Sequence, residues 1–357
     1  MRIGAREHRS VILLGAGATR GAYQGIGPAK IRPPLNADFF KVARKFVASA
    51  HGSAYRGPFR RIHTFIEREM RLRRSEEPTM EQVFNVLFIS KDMPKIFSQG
   101  GRPREAGFRR EIKDFLRLVV GVLRYIQENP RHPLNVNHHA WLVQHLDPGD
   151  TLISLNYDTL MDNALIREGW DPRIGYGFNA RHKVRHNPPA PTGGALVNLG
   201  DVLLIKPHGS LNWYAKGTIT SYESVLLNRP PSRIIVSDVP RAYDIVAQRL
   251  VRFFIPPLYA KFFANRFWRA LWDTAFRRLT EADSLVIIGC SLIESDFHLR
   301  AIVGRALAKR REQFSQVILV DRSEEVQRRL KQFLRGRSKS GFVTFPTFTD
   351  FVAAHSA

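Results

Sequence analysis

Six short, predominantly apolar runs do most to limit what this chain can fold into: residues 11–14, 151–155, 202–205, 233–236, 284–288 and 316–320. A strand with one wet face alternates apolar and polar residues, so runs this short and uninterrupted read as strands covered on both faces. Parallel strands need long crossovers, usually helices, and helical periodicity fills residues 258–279, 296–308 and 323–334 around the later runs. The pattern predicts an α/β fold: a Rossmann-like doubly wound parallel sheet with helices on both faces.

Between the first two runs the character changes. Residues 21–34 are rich in glycine and proline and read as loop. Phe39, Phe40, Val42, Ala43, Phe46 and Val47 then recur at helical spacing behind a candidate cap at Asn36. Ile62, Phe65, Ile66 and Met70 make a second pattern, and Val83, Val86 and Leu87 a third, behind Thr79 and Gln82 in capping-box spacing. Ile112, Phe115, Leu116, Val119, Val120, Leu123 and Ile126 make the longest. Breaks are expected at 52–58, 75–78 and 100–107, and no fixed-period repeat suggests a solenoid. The expected organisation is a discontinuous Rossmann domain, 1–36 and 149–357, interrupted by a helical subdomain, 37–148. Residues 173–200, rich in Pro, Gly, Asn and His, read as a long loop.

Composition narrows the function classes. Apolar residues make up 44% of the 357. No run approaches the roughly 18 unbroken apolar residues of a membrane span, and residues 1–10 lack a signal-peptide apolar core, so a cytoplasmic protein without a membrane partner is expected. The single cysteine, Cys290, can build neither a disulfide framework nor a four-cysteine zinc site. His182 and His186 have metal-ligand spacing only on a helix and no acidic neighbour in sequence, so no metal is expected. Lys and Arg number 55 against 32 Asp and Glu, a formal charge of +23 that attracts phosphates, nucleic acid or an acidic partner. Arg60, Arg61, Arg68, Arg71, Arg73 and Arg74 sit along helix-like segments, where a solvated face is the plainer reading.

The residues with chemistry cluster at the ends of the strand-like runs, where α/β folds bind ligands. Gly15-Ala16-Gly17 ends the first run; such a turn lets backbone amides approach a phosphate, or simply turns the chain. The full dinucleotide fingerprint is not met, because position 20 is Arg and Gly21 falls one residue late. Asn156-Tyr157-Asp158 follows the second run, with Asp158 readable as a helix cap or as a site carboxylate. Lys206-Pro207-His208-Gly209-Ser210 follows the third and places His208 on a glycine turn. Gly289-Cys290-Ser291 closes the run at 284–288, and Asp321 closes the last, as an acceptor for ribose hydroxyls or as a cap. Trp268 and Trp272 recur at helical spacing and read as core. No Gly-x-Ser-x-Gly elbow, Walker loop or His-Glu-x-x-His helix is present.

In this order, the Gly15-Ala16-Gly17 turn, Asn156-Tyr157-Asp158, Lys206 to Ser210 and Gly289-Cys290-Ser291-Leu292 resemble the sirtuin-like superfamily. More narrowly the chain resembles its zinc-module-lacking bacterial NAD hydrolases of antiphage defence, through Pro33-Pro34, Asp38-Phe39-Phe40, Pro256-Pro257 and Lys261. The resemblance spans residues 11 to about 325, apart from most of the helical block.

The resemblance implies a catalytic set of Asn156, which positions a water or the ribose, His208 near the ribose hydroxyls, and Asp158 against the nicotinamide amide. Gly15 and Gly17 would hold the NAD pyrophosphate, with Ala16 and Thr19 in the same cofactor-binding set, and Gly289, Ser291 and Asp321 would line the adenosine half. Thr19 and Ser154 stand where Ser and Thr are common, and no Asp-Phe-Arg segment is recognisable. The expected function is NAD+ hydrolysis to nicotinamide and ADP-ribose as an abortive-infection effector, with NAD as substrate. Homo-oligomerisation and a separately encoded partner, such as a HerA-type ATPase, are expected with it. The alternatives are a weakly active or non-catalytic basic subunit that binds nucleic acid or a nucleic-acid motor, and a deacylase or ADP-ribosyltransferase.

Overall fold

The computed structural model describes residues 9–23, 31–72, 76–93, 105–128, 138–183, 199–216, 234–237, 250–256, 266–292 and 297–356. They form two compact units. One comprises Met1–Ala22, Asn135–Phe254 and Phe262–Ala357; the other Tyr23–Leu134 and Ile255–Lys261.

The first unit is built on a six-stranded parallel sheet of β1 (Ser10–Leu14), β2 (Thr151–Ser154), β4 (Leu203–Ile205), β8 (Ser284–Ile288), β9 (Gln316–Val320) and β10 (Phe342–Phe345). β1, β2 and β8 are buried at every position, which is why their sequences carry no polar alternation. The edge strand β10, by contrast, is partly exposed. Strand order is β10-β9-β8-β1-β2-β4. Numbered by appearance within this sheet, that is 3-2-1-4-5-6, the order of dinucleotide-binding sheets. Register is fixed on both sides of β1: Ile12 pairs with Leu152 of β2 and with Val286 of β8.

The chain leaves β1 for β2 and β4 on one side, then returns to β8, β9 and β10 on the other. The strand order therefore reverses between β1 and β8, and ligands of open α/β sheets bind outside the carboxyl ends of the strands at such a point. The helices of this unit are α1 (Ala16–Gly21), α6 (His138–Gln144), α7 (Leu160–Arg167), α8 (Arg266–Glu281), α9 (Phe297–Lys309), α10 (Glu324–Phe333) and α11 (Phe348–Ser356). α10 begins where sequence signals place it: Ser323 Oγ accepts the Val326 N–H at 3.3 Å, and Glu324 and Glu325 meet the positive end of the helix dipole.

One strand expectation is corrected. The run at 233–236 does form a strand, β6 (Ile234–Ser237), but not in the parallel sheet. It joins a separate sheet of order β3-β6-β5-β7, with β3 (Arg181–Lys183), β5 (Gly209–Lys216) and β7 (Leu250–Phe254). β5 is antiparallel to both β6 and β7. An apolar run is compatible with either sheet, and only pairing partners distinguish them. β3 also falls inside the stretch read as a long loop, and puts His182 on a strand rather than on the helix its metal-ligand spacing would need. His186 lies outside the described residues.

The second unit holds α2 (Phe39–Ala48), α3 (Arg56–Phe65), α4 (Met80–Asp92) and α5 (Glu105–Glu128). Its centre is aromatic: Phe115 stacks on Phe84 at 4.2 Å and on Phe40 at 5.4 Å, with Phe39 edge-on at 5.7 Å. The capping box is present, with Thr79 Oγ1 accepting the Gln82 N–H at 3.1 Å and Gln82 Oε1 accepting the Thr79 N–H at 2.8 Å. The expected break at 52–58 is instead a 3-10 turn (Ala50–Tyr55) running into α3, where Pro58 occupies the first turn that tolerates proline. Asn36 opens a 3-10 turn (Asn36–Asp38) rather than capping α2 directly.

Candidate functional site

The turns after β1, β2, β4 and β8 are stitched together along one edge of the parallel sheet. At the centre, Asn156 Nδ2 donates to the Gly15 carbonyl at 2.8 Å and to Thr19 Oγ1 at 2.9 Å. Thr19 Oγ1 in turn donates to Asp158 Oδ2 at 2.6 Å. The Gly15 carbonyl can only accept, so these bonds fix which end of the Asn156 amide is nitrogen. They leave Oδ1 as its acceptor, with no donor among the described residues.

Asp158 stands one residue before Thr159, the N-cap of α7: its Oδ1 accepts the Leu160 N–H at 3.0 Å in a local turn, while Oδ2 holds Thr19. The segment carrying His208 is tied to the same turn. Leu211 N–H donates to the Tyr157 carbonyl at 2.9 Å, Ser210 Oγ to the same carbonyl at 3.4 Å, and Lys206 Nζ to the Asp158 carbonyl. His208 sits in the β-turn that Gly209 N–H closes onto the Lys206 carbonyl at 2.9 Å, with Gly209 at φ +81°. His208 is 6% exposed and its ring meets Trp272 edge-on at 5.7 Å, so this core tryptophan of α8 is also a wall of the histidine's surroundings.

The glycine turns are bonded to one another within the protein. The Gly15 N–H donates to the Ile288 carbonyl at 3.0 Å and the Gly17 N–H to the Gly289 carbonyl at 2.9 Å, so these two amides are already engaged within the protein. What the glycines supply is the absence of Cβ. A Cβ on Gly15 would lie 2.4 Å from the Gly289 oxygen, one on Gly17 2.8 Å from the Gly289 Cα, and one on Gly289 2.2 Å from the Ala18 nitrogen. Gly289 also has φ +56°, which glycine adopts freely. The turns after β1 and β8 thus interlock at the point where strand order reverses, with Ala16 between the two glycines. Ser291 is half-buried beyond them, and the next residue, Leu292, holds a left-handed φ of +43°.

Asp321 is bonded within the turn that precedes α10, whose cap is Ser323. Its Oδ1 accepts the Ser323 N–H at 2.9 Å, its carbonyl accepts Gln327 Nε2 at 2.7 Å, and burial raises its carboxyl pKa above the usual range. Its place beside the site comes through the sheet: Gly289 N–H donates to the Val320 carbonyl at 2.8 Å.

Beneath the Asn156–Asp158 turn lies a polar network that the sequence did not single out. Lys206 Nζ pairs with Asp162 Oδ2 at 2.8 Å, and both side chains are fully buried. Asp162 Oδ1 accepts the Tyr176 hydroxyl and, at 3.4 Å, Asn212 Nδ2. Burial, then the Asp162 charge, drives the Tyr176 phenol well above its ordinary pKa and keeps it protonated as a donor. His139, 3% exposed on α6, senses the same carboxylates. Burial pulls its pKa down to about 4, while the charges of Asp158 and Asp162 oppose that fall. The available signal was a charged residue inside an apolar pattern: Asp162 within Leu160–Leu165, and Lys206 directly after Ile205.

The SIR2-like domain family matches residues 150–338. The chain belongs to this family. The matched span contains Asn156, Asp158, His208, Gly289, Ser291 and Asp321, and β1 with Gly15 to Thr19 is added to this SIR2-like domain from the other side of the helical unit in sequence. No curated protein matches the chain. Among solved structures it is similar to a Sir2–p53 peptide–NAD+ complex, at 13% identity over 97% of this chain and 91% of that chain, with a TM-score of 0.37. It is also similar to a structure described as the structural basis for the mechanism and regulation of Sir2 enzymes, at 12% identity, 97% and 89% coverage and a TM-score of 0.35. Among the described residues no cluster of three His, Cys, Asp or Glu could hold a metal ion, and no helix is long and apolar enough to cross a membrane.

Proposed function

We propose that this SIR2-like domain is an NAD+ glycohydrolase, and that the edge formed by Gly15–Thr19, Asn156–Asp158, His208 and Gly289–Ser291 is where it acts. The observation that carries the reading is Asn156. Its Nδ2 is committed to Gly15 and Thr19, so its free Oδ1 is a fixed acceptor able to orient a water or a ribose hydroxyl. In the proposed reaction the bond between ribose C1′ and the nicotinamide nitrogen breaks, and its electron pair neutralises the pyridinium ring. Water oxygen then forms the new bond to C1′ and its proton passes to solvent. The leaving group is good, so the site need mainly orient water and stabilise an oxocarbenium-like cation. In this reading Gly15, Ala16, Gly17 and Thr19 flank the pyrophosphate, Gly289, Ser291 and Asp321 line the adenosine half, His208 serves the nicotinamide ribose, and Asp158 the nicotinamide amide. A role in antiphage defence, self-association and a HerA-type partner ATPase belong to the same proposal.

A second reading, a basic subunit that contacts nucleic acid, is favoured by one surface. On α5, Arg109, Arg110, Lys113 and Arg117 are exposed, and exposed Arg60 lies on α3, against which α5 packs. Asp114 between them is paired with Arg61 at 2.5 Å. One experiment separates the readings: purified protein is incubated with NAD, with and without DNA, while nicotinamide release and DNA retention are followed. The hydrolase reading expects turnover that falls at least ~100-fold in Asn156→Ala, the scale of losing one oriented polar group in a site. No turnover under any condition, or an Asn156→Ala variant equal to wild type, overturns it. DNA retention that weakens steeply with salt, without turnover, selects the second reading.

A further inference from the structure

We infer that Lys206 is a positioning residue: its buried ammonium holds the Asp158 carbonyl and thereby fixes the Asn156–Asp158 turn against the His208 segment. The inference rests on the hydrolase reading for its meaning in catalysis, and on geometry for its existence. Lys206 and Asp162 are fully buried, and every polar atom of the pair has a partner: Nζ bonds Asp162 Oδ2 at 2.8 Å and the Asp158 carbonyl, and Oδ1 of Asp162 takes Tyr176 and Asn212. Removing two charges from water costs several kcal/mol per ion, and well-packed apolar residues of similar volume commonly stabilise a fold as well or better. Stability therefore does not account for an ammonium at this place. What an apolar pair cannot supply is a donor to the Asp158 carbonyl.

That donor sits at a junction. Asp158 holds Thr19 through its side chain, and Thr19 holds Asn156. Lys206 directly follows β4 and stands two residues before His208, so one ammonium links the turn after β2 to the turn after β4. The neighbouring bonds from Ser210 and Leu211 reach only the Tyr157 carbonyl. Among these segment-to-segment bonds, Lys206 alone reaches residue 158.

Four full-length proteins test this: wild type, Lys206→Met, Lys206→Met/Asp162→Leu, and Asp162→Asn. Lys206→Met strands a buried carboxylate and lowers Tm. The double variant removes both charges and is expected to regain only part of the Tm that Lys206→Met loses, because the Tyr176 hydroxyl and the Asp158 carbonyl are left without these partners, while kcat/KM for NAD stays at least tenfold down. Asp162→Asn keeps the lysine's bond to the carbonyl; it is expected to lose Tm yet hold kcat/KM within about twofold of wild type. In protein labelled with 15N-asparagine, the Asn156 side-chain amide signal should shift in both Lys206 variants and stay in place in Asp162→Asn. That signal is read whether or not NAD is turned over, so wild-type inactivity would sink the hydrolase reading alone. The inference is overturned if the double variant recovers kcat/KM with its Tm. It is equally overturned if Asp162→Asn loses as much kcat/KM as Lys206→Met, or if the Asn156 signal is unmoved without Lys206; the last two outcomes decide the matter even if the double variant does not fold.

Discussion

At the scale of single residues, identity is set by what each side chain would strike or leave unpaired. Gly289 and Gly21 make the contrast. A Cβ on Gly289 meets backbone at 2.2 Å at a positive φ, whereas nothing lies within 4 Å of one on Gly21. Gly289→Ala should therefore cost ~3 kcal/mol, from the left-handed backbone penalty plus overpacking. Gly21→Ala should stay within ~0.5 kcal/mol of wild type, as exposed positions do. Denaturant midpoints of the two variants check this, and equal midpoints would refute the interlocking of the two turns. Sequence could nominate Asn156, Asp158 and His208 because polar residues at strand ends are conspicuous. It could not tell that Asn156 and Thr19 bond, because residues 137 apart in sequence meet only once β1 and β2 pair.

At the scale of elements, local signals worked where the local chain supplies the energy. The α4 capping box is complete within four residues, and its spacing alone announced it. Thr79→Ala should cost about 1 kcal/mol and speed hydrogen exchange at the Gln82 amide, which loses its acceptor; unchanged exchange there would remove the cap from the account. The buried strands were legible for a similar reason, since a strand covered on both faces has no polar positions to offer. The second sheet was not. β5 carries Ser210 and Asn212 among apolar residues, and its Gly209 is required by the approach of Phe253 and Phe254 from β7, which a Cβ would meet at 2.5 Å.

At the scale of the whole molecule, two buried groups set opposite pH dependences. Burial lowers the His139 pKa from 6.5 to about 4, so between those values the unfolded chain takes a proton the folded chain refuses. Its contribution is complete above 6.5 and is lost as pH falls toward 4. Burial raises Asp150 from 3.8 to about 6, against the bonds it accepts from the Asp147 and Ser10 amides. The folded chain there keeps a proton the unfolded chain releases, so that contribution is present below 3.8 and lost as pH rises through 6. Between pH 4 and 6 the two oppose each other. Asp150→Asn should expose the histidine's slope, losing ~1.4 kcal/mol of stability per pH unit as pH falls, and His139→Leu should tilt the other way. Denaturant midpoints at pH 4.5 and 7 measure both; parallel behaviour of the two variants would contradict the assignment.

The class of the fold and the polar residues at its strand ends are legible in the chain, because burial on both faces and turn chemistry are written in consecutive residues. How those residues pair with one another depends on the folded structure. It committed the Gly15 and Gly17 amides within the protein, turned Asn156 so that Oδ1 is the open acceptor, and sent residues 234–237 to a second sheet. It also brought Lys206, Asp162 and Tyr176 into one buried network. These are pairings between segments far apart in the chain, and a buried charge or a glycine declares its partner only when the sheet has closed.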